Sequence, residues 1–296
     1  MIAYLWIPAT LFASVFQVAR NGLQRGMMST TGPWGATLVR FLFGLPFSVT
    51  FAAVAWFMNP GAKPSLGAAF WSSAILGALA QVLATASLLV AMRRAGFAVG
   101  TALQQSSLPL AAIVGLMVYH DRLSLLAWSG VAVTTAGLAV LTWPKDAGGP
   151  QPVSGAAFGL ISGLFFGFSL NAFRHATLAM DARHPIFAAL ACVAVAQTMQ
   201  ALALTLWLAA RDRGALIALA KGWRQSLGAG FCGACASAGW FIALALCAAA
   251  PVRALGVVEA PMAAIAGRRF FRERLSRGQL AAGGAVLLGV VMTTLG

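Results

Sequence analysis

Apolar runs fill most of this chain, and short clusters of Gly, Pro and charge separate them. Read by that pattern, the runs predict ten helices, at 2–20, 34–58, 67–92, 97–118, 123–143, 153–174, 185–210, 226–248, 251–271 and 276–295. Their lengths suit membrane crossing, which takes roughly 20 apolar residues per helix. The longest polar stretches are 59–66, 144–152 and 211–225. The second of these begins Pro144-Lys145-Asp146-Ala147-Gly148-Gly149-Pro150 and divides the chain into five helices and five.

Composition narrows the class further. Of 296 residues, 60% are hydrophobic and 9% charged, against about 25% charged in a soluble domain. Mean hydropathy is +0.85, so a soluble enzyme, a disordered regulator and a disulfide-stapled secreted domain are excluded. The fold class expected is an all-α integral membrane protein. The 32 glycines fit closely packed membrane helices. The net charge of +14 does not point to nucleic acid, because Lys and Arg are scattered between apolar runs without a basic stripe. Four cysteines lie in apolar stretches. The Cys232-x-x-Cys235 pair reads as small-residue packing rather than redox chemistry. Met1-Ile2-Ala3-Tyr4 lacks a basic leader, so the first helix is expected to stay in the mature protein.

The two halves, 1–147 and 148–296, resemble each other. A shift of 152 positions sets Leu103 on Leu255, Pro109 on Pro261 and Ala111-Ala112-Ile113 on Ala263-Ala264-Ile265. It also sets Gly115 on Gly267, Arg122-Leu123-Ser124 on Arg274-Leu275-Ser276, Gly137 on Gly289 and Asp121 on Glu273. Five helices per repeat would make the halves cross in opposite senses, the inverted plan of secondary transporters, with a central cavity at the midplane. Basic residues set the orientation. One side would carry Arg20, Arg25, Arg93, Arg94, Lys145, Arg211, Arg213, Lys221, Arg224, Arg268, Arg269, Arg272, Arg274 and Arg277. The other would carry Lys63, Arg122, Arg174, Arg183 and Arg253. The richer side is expected in the cytoplasm, with both termini outside.

The Pro-centred stretches Gln105-Ser106-Ser107-Leu108-Pro109 and Val257-Val258-Glu259-Ala260-Pro261 are each followed by a glycine, Gly115 or Gly267. Next come Asp121-Arg122-Leu123 and Glu273-Arg274-Leu275. With this duplication and the Arg40-Phe41 pair, the chain resembles the EamA-type ten-helix group of the drug/metabolite transporter superfamily over nearly its whole length. In general look it is most similar to the YddG-type amino-acid exporters. The resemblance implies export of small metabolites, amino acids first, through the cell inner membrane. Glu259 departs from the family pattern, where a neutral residue is usual.

Six acids are present, and only Glu259 falls near the middle of a predicted helix. A carboxylate there must be protonated, paired or facing water. Two readings stand: a structural partner of Arg40, or a group that binds a substrate amine or carries a proton. Pro109 and Pro261 are expected mid-helix, each freeing a carbonyl, that of Gln105 or Val257. Ser107 and Glu259 are symmetry mates two residues before each proline, and Gln104 shares a helix face with Ser107. Gln81 is a polar residue within helix 3. Trp240 lies off the aromatic belt in the interior of helix 8, as core, lipid contact or cavity wall. Trp6, Trp34, Trp56, Trp71, Trp143 and Trp207 fit the belt, with Trp223 in a loop. Gly155, Gly159, Gly163 and Gly167 form one smooth face of helix 6. His120, His175 and His184 are placed at helix ends, so no metal site is expected. There is no Walker-type loop, no catalytic constellation and no cofactor expected. The partners expected are a small-molecule substrate, protons and the lipid bilayer, with the chain acting as a monomer.

Overall fold

A computed structural model describes residues 4–120, 123–142, 150–271 and 277–295. The expectations for Asp121, Arg122, Trp143, Lys145, Asp146, Arg272, Glu273, Arg274 and the linker through Gly149 fall outside the described residues. Among the described residues every regular element is an α-helix: α1 (Trp6–Leu42), α2 (Leu45–Met58), α3 (Ala68–Ala95), α4 (Phe97–Gln104), α5 (Ser107–Tyr119), α6 (Leu125–Thr142) and α7 (Pro150–Asp181). They continue with α8 (Pro185–Arg211), α9 (Arg213–Lys221), α10 (Trp223–Leu246), α11 (Ala249–Gly256), α12 (Glu259–Phe271) and α13 (Arg277–Leu295). Among the described residues six stretches are long and apolar enough to cross a membrane: Trp6–Met58, Ala68–Ala95, Val99–Val118, Val153–Asp181, Pro185–Arg211 and Trp223–Leu246. Large apolar side chains such as Phe57, Met117, Leu125 and Leu206 are exposed, as suits a chain whose solvent is lipid. Only helices satisfy the backbone there segment by segment.

The chain forms two compact units, Met1–Val82 with Ala172–Cys247 (unit 1) and Leu83–Asn171 with Ala248–Gly296 (unit 2). Each unit draws on both sequence halves.

In unit 1, α1 is one run interrupted at Gly32 (φ 64°, ψ 177°). That φ is open to glycine and strained for a side chain. Pro33 then begins the next segment, where its missing N–H costs nothing. Gln24 Nε2 donates to the Ala36 carbonyl at 2.6 Å. Residues twelve apart on a straight helix would be about 18 Å apart, so α1 turns back on itself at Gly32. Helix 1 therefore does not end at residue 20: Arg20, Asn21 and Arg25 are helical rather than loop residues. The expected helix 34–58 is broken at Phe43-Gly44. There the Gly44 position faces the Arg40 and Gly230 carbonyls, with no room for a Cβ.

The stretch 211–225 is not a plain loop. Asp212 caps α9 by accepting the Ala215 N–H at 3.0 Å, and Ala215 and Leu219 pack into a core with Leu38, Phe41, Leu204 and Leu208. Trp223 opens α10 instead of lying in a loop. Helix α7 runs past residue 174 to Asp181, which puts Arg174 and His175 inside it. Asp181 then ties two connections together. It accepts from His184 Nδ1 (2.9 Å) and from the Lys63 and Arg183 amides (3.2 and 3.0 Å).

In unit 2, the two expected helices 97–118 and 251–271 are each interrupted. Helices α4 and α11 are both eight residues long, and α5 and α12 both thirteen. Every limit of the second pair lies 152 residues after that of the first. The breaks are tight turns of the i→i−3 kind. Gln105, Ser106 and Leu108 donate to the Ala102, Leu103 and Gln105 carbonyls; Val257, Val258 and Ala260 donate to those of Ala254, Leu255 and Val257. The same displacement relates these bonds too. Helices α6 and α13 pack reciprocally: a Cβ on Gly137 would meet Val286 Cγ2 at 2.9 Å and the Ala282 carbonyl at 3.2 Å. One on Gly289 would meet Thr134 and the Gly130 carbonyl, the latter at 2.7 Å. The Gly155–Gly159–Gly163–Gly167 face of α7 lies against Ala95, Leu103, Ser106 and Leu110 in turn. Ser162 Oγ donates to the Ala84 carbonyl (2.8 Å), and Asn171 Nδ2 to that of Ala111 (3.1 Å).

Candidate functional site

Each unit buries a polar cluster, and both have arginine at the centre.

In unit 2, Arg253 stands on α11 one turn before the break and is 2% exposed. It was expected at the start of the helix 251–271, on the less basic side of the membrane; the structure buries it. Its Nε donates to Ser107 Oγ (2.7 Å), its Nη2 to Gln105 Oε1 (2.6 Å), and its Nη1 approaches Glu259 Oε1 (3.4 Å). Gln105 Nε2 reaches Glu259 Oε2 at 3.4 Å. Glu259 is fully buried and opens α12, where the helix N-terminus favours a carboxylate. Four side chains from both breaks thus form one network around a buried ion pair. A guanidinium fork offers donors in several directions, which is why one arginine can hold three partners.

Ser107 and Glu259 are therefore brought together, while Gln104 ends α4 beside this network, buried and outside its hydrogen bonds. The residue engaged is its neighbour Gln105. Pro109 and Pro261 are the third residues of α5 and α12, not mid-helix residues. The carbonyls they were expected to free, those of Gln105 and Val257, accept from Leu108 and Ala260 at 2.9 Å each. In the first turn of a helix a missing N–H breaks no bond.

In unit 1, Arg20 is fully buried and Arg40 is 2% exposed. A Cβ on Gly233 of α10 would stand 3.1 Å from Arg40 Cβ and 3.5 Å from Arg20 Cδ. The reversal at Gly32 thus brings side by side two arginines that a straight helix would hold about 30 Å apart. Arg20 donates twice to Asn21 Oδ1, from Nε (3.2 Å) and Nη2 (2.7 Å). Arg40 Nη2 donates to Ser237 Oγ (3.3 Å), and one turn further along α10 Trp240 Nε1 donates to Gln17 Oε1 (2.9 Å). Trp240 is buried, not lipid-facing. Gln17, Arg20, Asn21 and Gln24 recur at helical spacing and line one polar face of α1. Gln81 lies apart from them and accepts from Gln200 Nε2 (2.9 Å).

Cys232 and Cys235 are free thiols. Among the described residues no three His, Cys, Asp or Glu side chains gather as metal ligands would.

By fold, then, the molecule is an all-α protein of membrane type. It resembles a solved structure described only as "Crystal structure of protein", with a TM-score of 0.65 at 18% identity, over 99% of this chain and 98% of that one. The likeness concerns the fold. No protein-family model matches the chain, and no curated protein matches its sequence.

Proposed function

We propose that this chain is a secondary transporter that exports small metabolites, amino acids first, across the cell inner membrane by alternating access. In this reading it consists of two five-helix repeats of opposite topology, as in the EamA-type group it resembles. The observation that carries the reading is the matched pair of interrupted helices. Two segments 152 residues apart break at equivalent positions with equivalent tight-turn bonds, and a buried ionic network joins the breaks. Broken helices at corresponding places in two halves are the usual pointer to a transporter's site, and ionisable residues within spanning segments mark pathways by default. The reciprocal packing of α6 and α13 is the pattern that segments related by a two-fold axis make. The excess of Arg and Lys on one set of connections puts that side in the cytoplasm.

The test is counterflow. Protein in liposomes preloaded with unlabelled amino acid should take up the radiolabelled one transiently and saturably. Linear, non-saturable flux would mean a channel-like pore instead. No flux of any amino acid would move the substrate to another small metabolite or drug.

A further inference from the structure

We propose that α9, with the adjoining ends of α8 and α10, is a surface that binds anionic phospholipid headgroups; the proposal needs only a chain of membrane type and is independent of the transporter reading. Helices α8 and α10 are both long and apolar enough to cross a membrane, so the residues joining them lie at a membrane surface. Helix α9 has nine residues, about 13 Å of helix, far less than a crossing needs. It is seated from within the unit. Ala215 and Leu219 are buried in the core that holds Leu204 and Leu208. Asp212 accepts the Ala215 amide at 3.0 Å, and Ser226 Oγ donates to the Leu219 carbonyl at 3.2 Å.

The outward side carries the chemistry. Arg213, Ile217 and Lys221 recur at four-residue spacing and so share one face of α9. All three are exposed, Ile217 by 55%. Arg211 and Arg224, also exposed, flank the helix at its two ends. The four cations thus stand as two pairs with an apolar side chain between them. Trp207, one turn before Arg211 on α8, and Trp223, which opens α10, are exposed too, as tryptophans at headgroup level are. Arg224 Cζ lies 5.5 Å from the Trp223 ring centre. Cations and tryptophans around an exposed apolar residue are the composition of a helix lying in the membrane interface. The counter-charge available there is the phosphate of an anionic lipid.

The positive charge also exceeds what folding uses. Between residues 211 and 225 the four cations face one acid, Asp212, whose Oδ1 caps α9. Lys221 suits the negative end of α9, but Arg211 and Arg213 stand at its N-terminus, where the helix dipole is already positive and favours acids. Arg213 Nε donates to the Ala209 carbonyl at 3.0 Å, which fixes the guanidinium at that end. Cations added to a positive helix end attract an anion. At the other end of α8 the basic residues Lys63 and Arg183 stand beside a carboxylate, Asp181, which accepts both of their amides. The unbalanced charge belongs to the α9 end of the unit.

The experiment uses the full chain purified in detergent and counts retained lipids by native mass spectrometry. The probes are phosphatidylglycerol, phosphatidylcholine with the same acyl chains, and inorganic phosphate. Phosphatidylglycerol is expected to bind about tenfold more tightly than phosphatidylcholine or better, and inorganic phosphate to leave it bound. Arg211→Gln with Arg213→Gln, and Lys221→Gln with Arg224→Gln, should each weaken phosphatidylglycerol, by about fivefold per cation removed. Lys63→Gln with Arg183→Gln takes two cations from the other end of α8 and should leave the lipid preference unchanged. Equal retention of the two lipids by the unaltered protein would overturn the proposal, and that comparison needs no variant to fold. So would equal weakening by all three pairs of substitutions, which would make the effect one of overall charge. Displacement of the lipid by inorganic phosphate would also overturn it, leaving a site for free anions.

Discussion

Arg253 in unit 2 and the pair Arg20 and Arg40 in unit 1 are buried alike, yet their surroundings differ in kind. Arg253 lies within one cluster with a carboxylate, and each of its three nitrogens has an acceptor at 2.6–3.4 Å. In unit 1 Arg20 donates to Asn21 and Arg40 to Ser237, and the Asn21 amide donor Nδ2 meets no acceptor. A buried ion pair with its hydrogen bonds met specifies one arrangement of the chain. The repeat sharpens the contrast. Helix limits and turns recur at 152 residues, whereas the charges do not: Arg253 corresponds to Thr101, Glu259 to Ser107 and Gln105 to Val257. The duplicated backbone supplies the frame, and its two copies have been furnished separately.

If unit 2's network is structural, breaking it should cost stability first. Arg253→Met leaves Glu259 buried without its cation and should destabilise by about 3–5 kcal/mol, read as a lower melting temperature in detergent or loss of folded protein. Glu259→Gln keeps a hydrogen-bonding group of similar size, so a smaller loss is expected, about 1.5–3 kcal/mol. Exchange of substrate at equal pH should survive it. The double change Arg253→Met with Glu259→Met should recover most of the single loss, because no buried charge is then stranded. Additive losses would mean that the two side chains do not act as a pair. Collapse of pH-driven flux in Glu259→Gln, with the melting temperature unchanged, would make Glu259 a proton carrier and the contrast between the units would fail.

Next in size is Gly163→Leu on α7. A side chain there would strike Ser106 and lie about against the Ser107 amide, 3.0 Å from its nitrogen. Overpacking of this kind costs typically about 1–3 kcal/mol, and the break between α4 and α5 should be disturbed with it. Unchanged melting and yield would show that this face bears no tight contact.

Much of the frame was legible in the residues because apolar period and Pro/Gly punctuation act locally. The all-helical class, the 152-residue displacement and the special standing of Ser107 and Glu259 before their prolines all come from that level. The parts that stayed hidden depend on non-local geometry. Arg20 follows an apolar run and looked like the start of a loop, but the helix goes on to Gly32 and folds back, burying its polar face. Arg253 lies six residues before Glu259, a spacing that puts neither on the other's face of a straight helix. The tight turn at Val257 and Val258 is what lets them meet. The same effect separates Gln104 from Gln105. A continuous helix sets Gln104 over Ser107, whereas an i→i−3 turn advances the chain about 120° per residue rather than 100°, and Gln105 is the side chain that reaches the network.

The smallest effect expected concerns the prolines. If Pro109 caused the break before it, Pro109→Ala would join α4 to α5 and pull Gln105 away from Arg253. The structure assigns the break to three backbone bonds, the last of them from Leu108 to the Gln105 carbonyl, and seats Pro109 in the first turn, where an N–H is not needed. Alanine there gives the unfolded chain more freedom, which costs about 0.4–1 kcal/mol, and its new N–H can share the Gln105 carbonyl. Pro109→Ala and Pro261→Ala should therefore each lower the melting temperature only slightly and leave counterflow close to that of the unaltered protein. A loss as large as that of Arg253→Met would show that proline, rather than the turn and the arginine network, holds the helices apart. The balanced cluster of unit 2 would then be a consequence of the break and not its support.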